Sequence, residues 1–151
     1  MGALITCALL AGGALVGCRE PDEPDDGDLP LVGTLWTVES YDLGDGTTQP
    51  PADVVATVLL STDGGAVLRT GCNTADGRFD AGAGTISLQL MGWTDVGCDG
   101  EVLQLEKALR DFYSHEQLNW AVAGDLLILE PPESVSQDWI DLRGEPVAHT
   151  G

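Results

Sequence analysis

Turn residues cut the chain between Leu31 and Arg143 into short apolar runs, and that rhythm restricts it to a sheet-based fold. Residues 35–41 alternate Trp36, Val38 and Ser40 with Leu35, Thr37 and Glu39, the period of a half-buried strand. Residues 54–60 form a β-branched apolar run, and Asp63-Gly64-Gly65 is a hairpin turn leading into a strand over 66–70. Residues 85–90 put Ile86, Leu88 and Leu90 on one face. Runs over 118–122 and 126–129 flank Gly124-Asp125, another tight turn, and a last strand over 139–142 follows a loop begun by Pro131-Pro132. One segment breaks the pattern. Over residues 101–113 the apolar positions are Val102, Leu105, Leu109 and Phe112, with Ala108 and Tyr113 beside them, the three-and-four spacing of an amphipathic helix. Asp99 stands where an N-cap belongs, and Glu101 suits the positive end of the helix dipole. The expected fold is α+β: a mostly antiparallel sheet or small partly closed barrel with one amphipathic helix packed against it.

The N-terminus follows different rules. Residues 1–17 carry no charge, and their apolar run is shorter than the ~20 residues a bilayer-spanning helix needs but suits a signal peptide. The run ends in Leu15-Val16-Gly17-Cys18, which resembles a bacterial lipobox. That resemblance implies cleavage before Cys18, diacylglycerol on its thiol and a membrane as the first partner. The leader departs from the pattern in having no Lys or Arg before the apolar run. Residues 19–28 are rich in Pro and carboxylates, lack large apolar side chains and cannot build a core. They also lack the Gly turn and spacing of a calcium loop. The expected organisation is a signal peptide over 1–17, an acidic tether over 18–30, one domain over 31–144 and a disordered tail over 145–151.

Cysteine arithmetic fits export. On the lipobox resemblance Cys7 would leave with the leader and Cys18 would be acylated, so the domain would keep Cys72 and Cys98, an even remainder that an oxidising compartment would bond as a disulfide. Two Cys without a nearby His fall short of a zinc site, while a reduced core pair is the alternative. Six Lys and Arg stand against 25 Asp and Glu, a formal net charge of −19. Such a surface repels a phosphate backbone, which argues against nucleic acid as a partner. It suits either a basic partner protein or simple solubility.

The order of features from Leu31 to Arg143 resembles the META domain of the HslJ heat-shock protein family. Leu31-Val32-Gly33-Thr34-Leu35-Trp36-Thr37-Val38 is similar to that family's opening strand, and Gly71-Cys72-Asn73 to its Gly-Cys-Asn turn. By the same resemblance residues 76–80 and 85–90 form the next hairpin, and Cys98 falls where many members carry a second Cys before the helix. Here that segment reads Asp95-Val96-Gly97-Cys98, without the family's Met-Ala, and residues 130–137 make a longer loop than usual. Gly71 and Asn73 are also residue types that tolerate turns and left-handed backbone angles, whatever the family.

No residue cluster suggests catalysis. Ser114-His115-Glu116 has the letters of a triad, but adjacent residues of a helix do not face one another, and His115 is better suited to closing the helix. Asn119 stands where a zincin helix starting at His115-Glu116 would need its second His, and His149 lies near the C-terminus. No metal site or cofactor is expected. Of the four Trp, Trp36, Trp120 and Trp139 are expected in the core, while Trp93, in a loop over 92–97, is the preferred contact for any ligand.

The functional expectation is an exported, lipid-anchored, META-like domain with a non-catalytic role at the cell envelope; the resemblance implies stress or antibiotic tolerance. Two alternatives remain: a lipoprotein that inhibits or binds a basic envelope protein, and a small-ligand carrier of lipocalin type. The last is weakened by a Gly-x-x-Trp opening in place of Gly-x-Trp, and by ~110 residues being few for an eight-stranded barrel with an inserted helix.

Overall fold

The computed structural model describes residues 27–148. Among them, eight strands follow one another: β1 (Thr34–Asp42), β2 (Ala56–Leu60), β3 (Gly65–Thr70), β4 (Thr74–Ala81), β5 (Thr85–Trp93), β6 (Leu118–Ala123), β7 (Leu126–Glu130) and β8 (Trp139–Pro146), with helix α1 (Gly100–Tyr113) between β5 and β6. Each strand pairs antiparallel with the next, and β8 returns to β1 in a register running from Thr34↔Pro146 to Asp42↔Trp139. The sheet therefore closes into an up-and-down barrel with a single helix. Strands of five to nine residues, with tight turns at β2–β3, β3–β4, β4–β5 and β6–β7, fit eight strands into a domain whose length argued against them.

Period-two alternation decides what faces inward. Trp36 and Val38 of β1, Val58 and Leu60 of β2, Leu68 of β3, Ile86 of β5, Leu127 and Leu129 of β7 and Ile140 and Leu142 of β8 are all buried. These side chains fill the interior, which a lipocalin-type carrier would need as a chamber. Small residues make room for the largest one. A Cβ on Gly144 of β8 would lie 2.6 Å from Trp36 Cζ3, so the indole sits directly over the glycine.

The barrel has one weak seam. β5 pairs with β6 only through Thr85↔Asn119 and Ile86↔Leu118, because the chain leaves β5 to build α1 before returning. The helix buries Leu105, Leu109, Phe112 and Tyr113 against the core. Its first half covers the β3–β4 turn: Leu105 Cδ2 and Val102 Cγ1 lie 3.4 and 3.8 Å from the place of a Gly71 Cβ. Asp99 occupies the N-cap position with extended backbone but makes no side-chain capping bond. At the other end Ser114 Oγ donates to the Asp111 carbonyl at 2.7 Å, and His115 Nδ1 lies 2.8 Å from the Phe112 carbonyl.

Several boundaries move. Asp28 Oδ1 accepts the Gly124 N–H at 2.6 Å, and the Leu29 N–H donates to the Gly124 carbonyl at 2.8 Å, so the domain takes in Asp28 and Leu29, ahead of the expected start at residue 31. β8 runs to Pro146 and not to 142, which takes residues 145 and 146 out of the expected tail. The strand expected over 54–60 begins at Ala56. Of the three Trp assigned to the core, Trp36 alone is fully buried. Trp120 is half-buried, with its indole N–H shared between the Gly82 and Thr85 carbonyls, and Trp139 takes the outward side of β8 beside Ile140. The leader, Cys7, Cys18 and His149 lie outside the described residues.

Tyr113 carries a cost. Its ring is buried, its hydroxyl has no hydrogen-bond partner, and burial pushes the phenol's pKa far above the ordinary 10.0. Tyr113→Phe should therefore hold or raise stability, by about 1 kcal/mol at neutral pH. Above pH ~10 the unfolded chain loses this proton while the folded chain keeps it, so folding weakens by roughly 1.4 kcal/mol per pH unit and the variant removes that slope. Urea unfolding between pH 8 and 11 measures both effects. Earlier unfolding of the variant at pH 8 would mean that something holds the hydroxyl.

Candidate binding groove

The Gly71-Cys72-Asn73 turn joins β3 to β4, and each residue has a separate task. Gly71 takes φ +105°, a left-handed angle that an L side chain resists, and its missing Cβ would come within 2.8 Å of Val54 Cγ1. Cys72 is bonded to Cys98, with 6.2 Å between their Cα atoms, and so ties the turn to the segment before α1. Asn73 does not adopt a left-handed angle, as its residue type allowed. It is buried and works through hydrogen bonds. Its Oδ1 accepts the Val96 N–H at 2.7 Å and the Thr94 hydroxyl at 2.9 Å, and its Nδ2 donates to the Val96 carbonyl at 3.2 Å. An amide supplies an acceptor and a donor on two separate atoms, whereas an ionised aspartate could only accept and a serine would offer a single oxygen for all three bonds.

Below the turn lies Glu106 of α1, only 3% exposed. Its Oε2 accepts the Thr70 hydroxyl and, at 3.2 Å, the Asn73 backbone N–H. Its Oε1 is buried and has no hydrogen-bond partner. The nearest cation is Arg110, one helical turn on, whose Nη1 stands 3.6 Å away. The Arg110 guanidinium lies 4.5 Å from the centre of the Trp93 ring, a cation–π distance. Trp93 was expected in a loop; it closes β5 instead and is half-buried. Glu106, Arg110, Asn73 and Val96, together with Lys107 and Asp111, line a surface groove of about 570 Å³ beside the disulfide.

Gly71, Cys72, Asn73, Cys98 and Trp93, all legible as candidates in the sequence, come together at this end of the barrel. Glu106 is not among those candidates. The signal was present: positions 102, 106, 109 and 113 fall on one helical face, and the carboxylate stands among Val, Leu and Tyr. A charge on an apolar stripe is buried only when it finds partners, and those partners lie on another element. The letters Ser114-His115-Glu116 do not converge. His115 and Glu116 line a separate hollow with Ser87, Pro132 and Val135, and the His115 Nδ1 is engaged by Phe112. Among the described residues, no group of three or more His, Cys, Asp or Glu is placed to hold a metal ion. No helix among them is long and apolar enough to cross a membrane.

Known proteins agree with this architecture. A solved structure, the NMR structure of the protein from Burkholderia xenovorans, superposes with a TM-score of 0.63 at 20% identity, covering 85% of this chain and 99% of that one. At that identity the likeness concerns the fold alone. No curated protein matches. The META domain family matches residues 29–138, which is most of the chain and takes in the Gly-Cys-Asn turn, the disulfide and α1, so this protein belongs to the META domain family.

Proposed function

We propose that this META domain is exported, held at the cell envelope by lipid on Cys18, and acts there by binding without catalysis. The observation that carries the reading is the bonded Cys72–Cys98 pair, a state of cysteine that an oxidising compartment favours. The Leu15-Val16-Gly17-Cys18 motif supplies the route and the anchor. With the fold taking in Asp28, the ten residues from Cys18 to Gly27 remain for a tether, whose reach would be at most roughly 33 Å at ~3.3 Å each. Each buried methylene contributes about 0.8 kcal/mol, and two acyl chains suffice for stable anchoring. Kinship with the META domain extends the proposal to stress or antibiotic tolerance.

Intact mass of the protein from a membrane fraction tests the anchor. The expected mass begins at Cys18 and includes acyl chains, and Cys18→Ser should move the protein to the soluble fraction. A full-length, unacylated chain in the membrane fraction would sink the proposal. A second reading, a binder of a basic envelope protein, is favoured by the surplus of 25 acidic over six basic residues, which steers cationic partners in a salt-dependent way.

A further inference from the structure

Glu106 is an uncommon residue to leave half-satisfied. A buried carboxylate oxygen without a hydrogen bond forfeits the interaction that would offset its removal from water. Oε2 is satisfied by Thr70 and Asn73, which also fix the side chain's direction, while Oε1 makes no hydrogen bond and has only the Arg110 ion pair. Arg110 stands beside it at 3.6 Å, outside hydrogen-bond reach. Tethering on the same helix limits how the guanidinium can approach, and it is drawn at the same time to the Trp93 ring at 4.5 Å. The side chain of Arg110 is 42% exposed and so has water to turn into.

A buried carboxylate oxygen and an aromatic face that one guanidinium spans, as that of Arg110 does, form a recognition pair for a planar cation. From this we propose that Glu106 and Trp93 form a subsite for the guanidinium group of an arginine on a basic partner, which takes the place Arg110 holds in the free protein. A guanidinium not tied to α1 approaches Oε1 along its lone pair to about 2.8 Å and still stacks on the indole, making the hydrogen bond that Arg110 leaves unmade. Arg110 then turns outward towards Asp111 and solvent. The groove's own charges are mixed, with Asp95, Glu106 and Asp111 against Lys107 and Arg110. Long-range attraction therefore comes from the whole acidic surface, while the choice of guanidinium over ammonium comes from the subsite. Planarity matters for that choice, because an ammonium cannot lie flat on the ring while donating sideways.

The inference rests on the reading of the domain as a binder of basic partners. Its test is binding of dye-labelled tetra-arginine to the full chain in an uncharged detergent at low salt, read by fluorescence anisotropy. Glu106→Gln and Trp93→Leu are each expected to weaken binding by about tenfold. Arg110→Ala, which vacates the subsite without touching its walls, is expected to strengthen binding by roughly threefold to tenfold, and tetra-lysine to bind more weakly than tetra-arginine. Asp45→Asn, the same loss of charge in an exposed loop, controls for the acidic surface. Arg110→Ala keeps the test open if Glu106→Gln fails to fold. Tetra-arginine binding that responds to Glu106→Gln and Trp93→Leu no more than to Asp45→Asn, or that weakens in Arg110→Ala, overturns the subsite and leaves the basic-partner reading standing. No binding of either peptide overturns both.

Discussion

Trp36→Ala should destabilise the domain by about 3–5 kcal/mol, enough to threaten folding where the whole stability of a domain is about 5–15 kcal/mol. The indole is fully buried inside the barrel, and its N–H donates to the Leu31 carbonyl at 2.9 Å. Truncation removes the ring's contacts and also leaves that carbonyl without its donor. The site has little means of collapsing to fill the space. The wall below the ring is Gly144, which has no side chain to move in, and β1 is held on both sides by its pairing with β2 and β8. Trp36→Phe keeps most of the ring and loses the hydrogen bond, so a cost of about 1–2 kcal/mol is expected. Urea midpoints at unchanged slope give both values. A cost below about 1.5 kcal/mol for the alanine variant would mean that the indole does not fill the barrel.

Loss of the Cys72–Cys98 bond is expected to cost about 3.5 kcal/mol, from the chain entropy that a 26-residue separation restricts in the unfolded state. The double variant Cys72→Ala/Cys98→Ala measures this without leaving a lone thiol. The folded state should change little, because Asn73 independently holds Thr94 and Val96 through three side-chain hydrogen bonds. The two devices act on different states: the disulfide on the unfolded chain, Asn73 on the folded one. Amide spectra of the double variant should thus shift only near residues 71–73 and 94–99, while its melting temperature falls. Widespread spectral change would show that the bond, and not Asn73, keeps the segment docked on the turn.

The sequence alone determined the local elements. Alternation in 35–41 and 85–90, the Asp63-Gly64-Gly65 and Gly124-Asp125 turns and the stripe from Val102 to Phe112 are properties of neighbouring residues, and they are found where the alternation and the stripe placed them. The META resemblance was legible for the same reason, since Gly71-Cys72-Asn73 is a contiguous word whose glycine answers a local backbone demand. Strand ends were less legible. β8 reaches Pro146 because β1 offers Thr34 as a partner, which nothing in residues 143–146 announces.

Only the tertiary structure decided the closure of the barrel, the burial of Trp36 over Trp139, and the state of Glu106. Closure depends on β8 meeting β1 about a hundred residues away in sequence, as Val38↔Leu142 does, and a pattern of period two carries no information about which strands become neighbours. Trp139 and Ile140 are both apolar, and their register on β8 alone chose which of them faces inward. Glu106 is an ordinary surface residue by type; Thr70 and Asn73, more than thirty residues earlier, make its burial affordable and aim it at Arg110. Local pattern fixes the direction of a side chain relative to its own element, but the partners that satisfy a buried charge come from elements that only folding brings together.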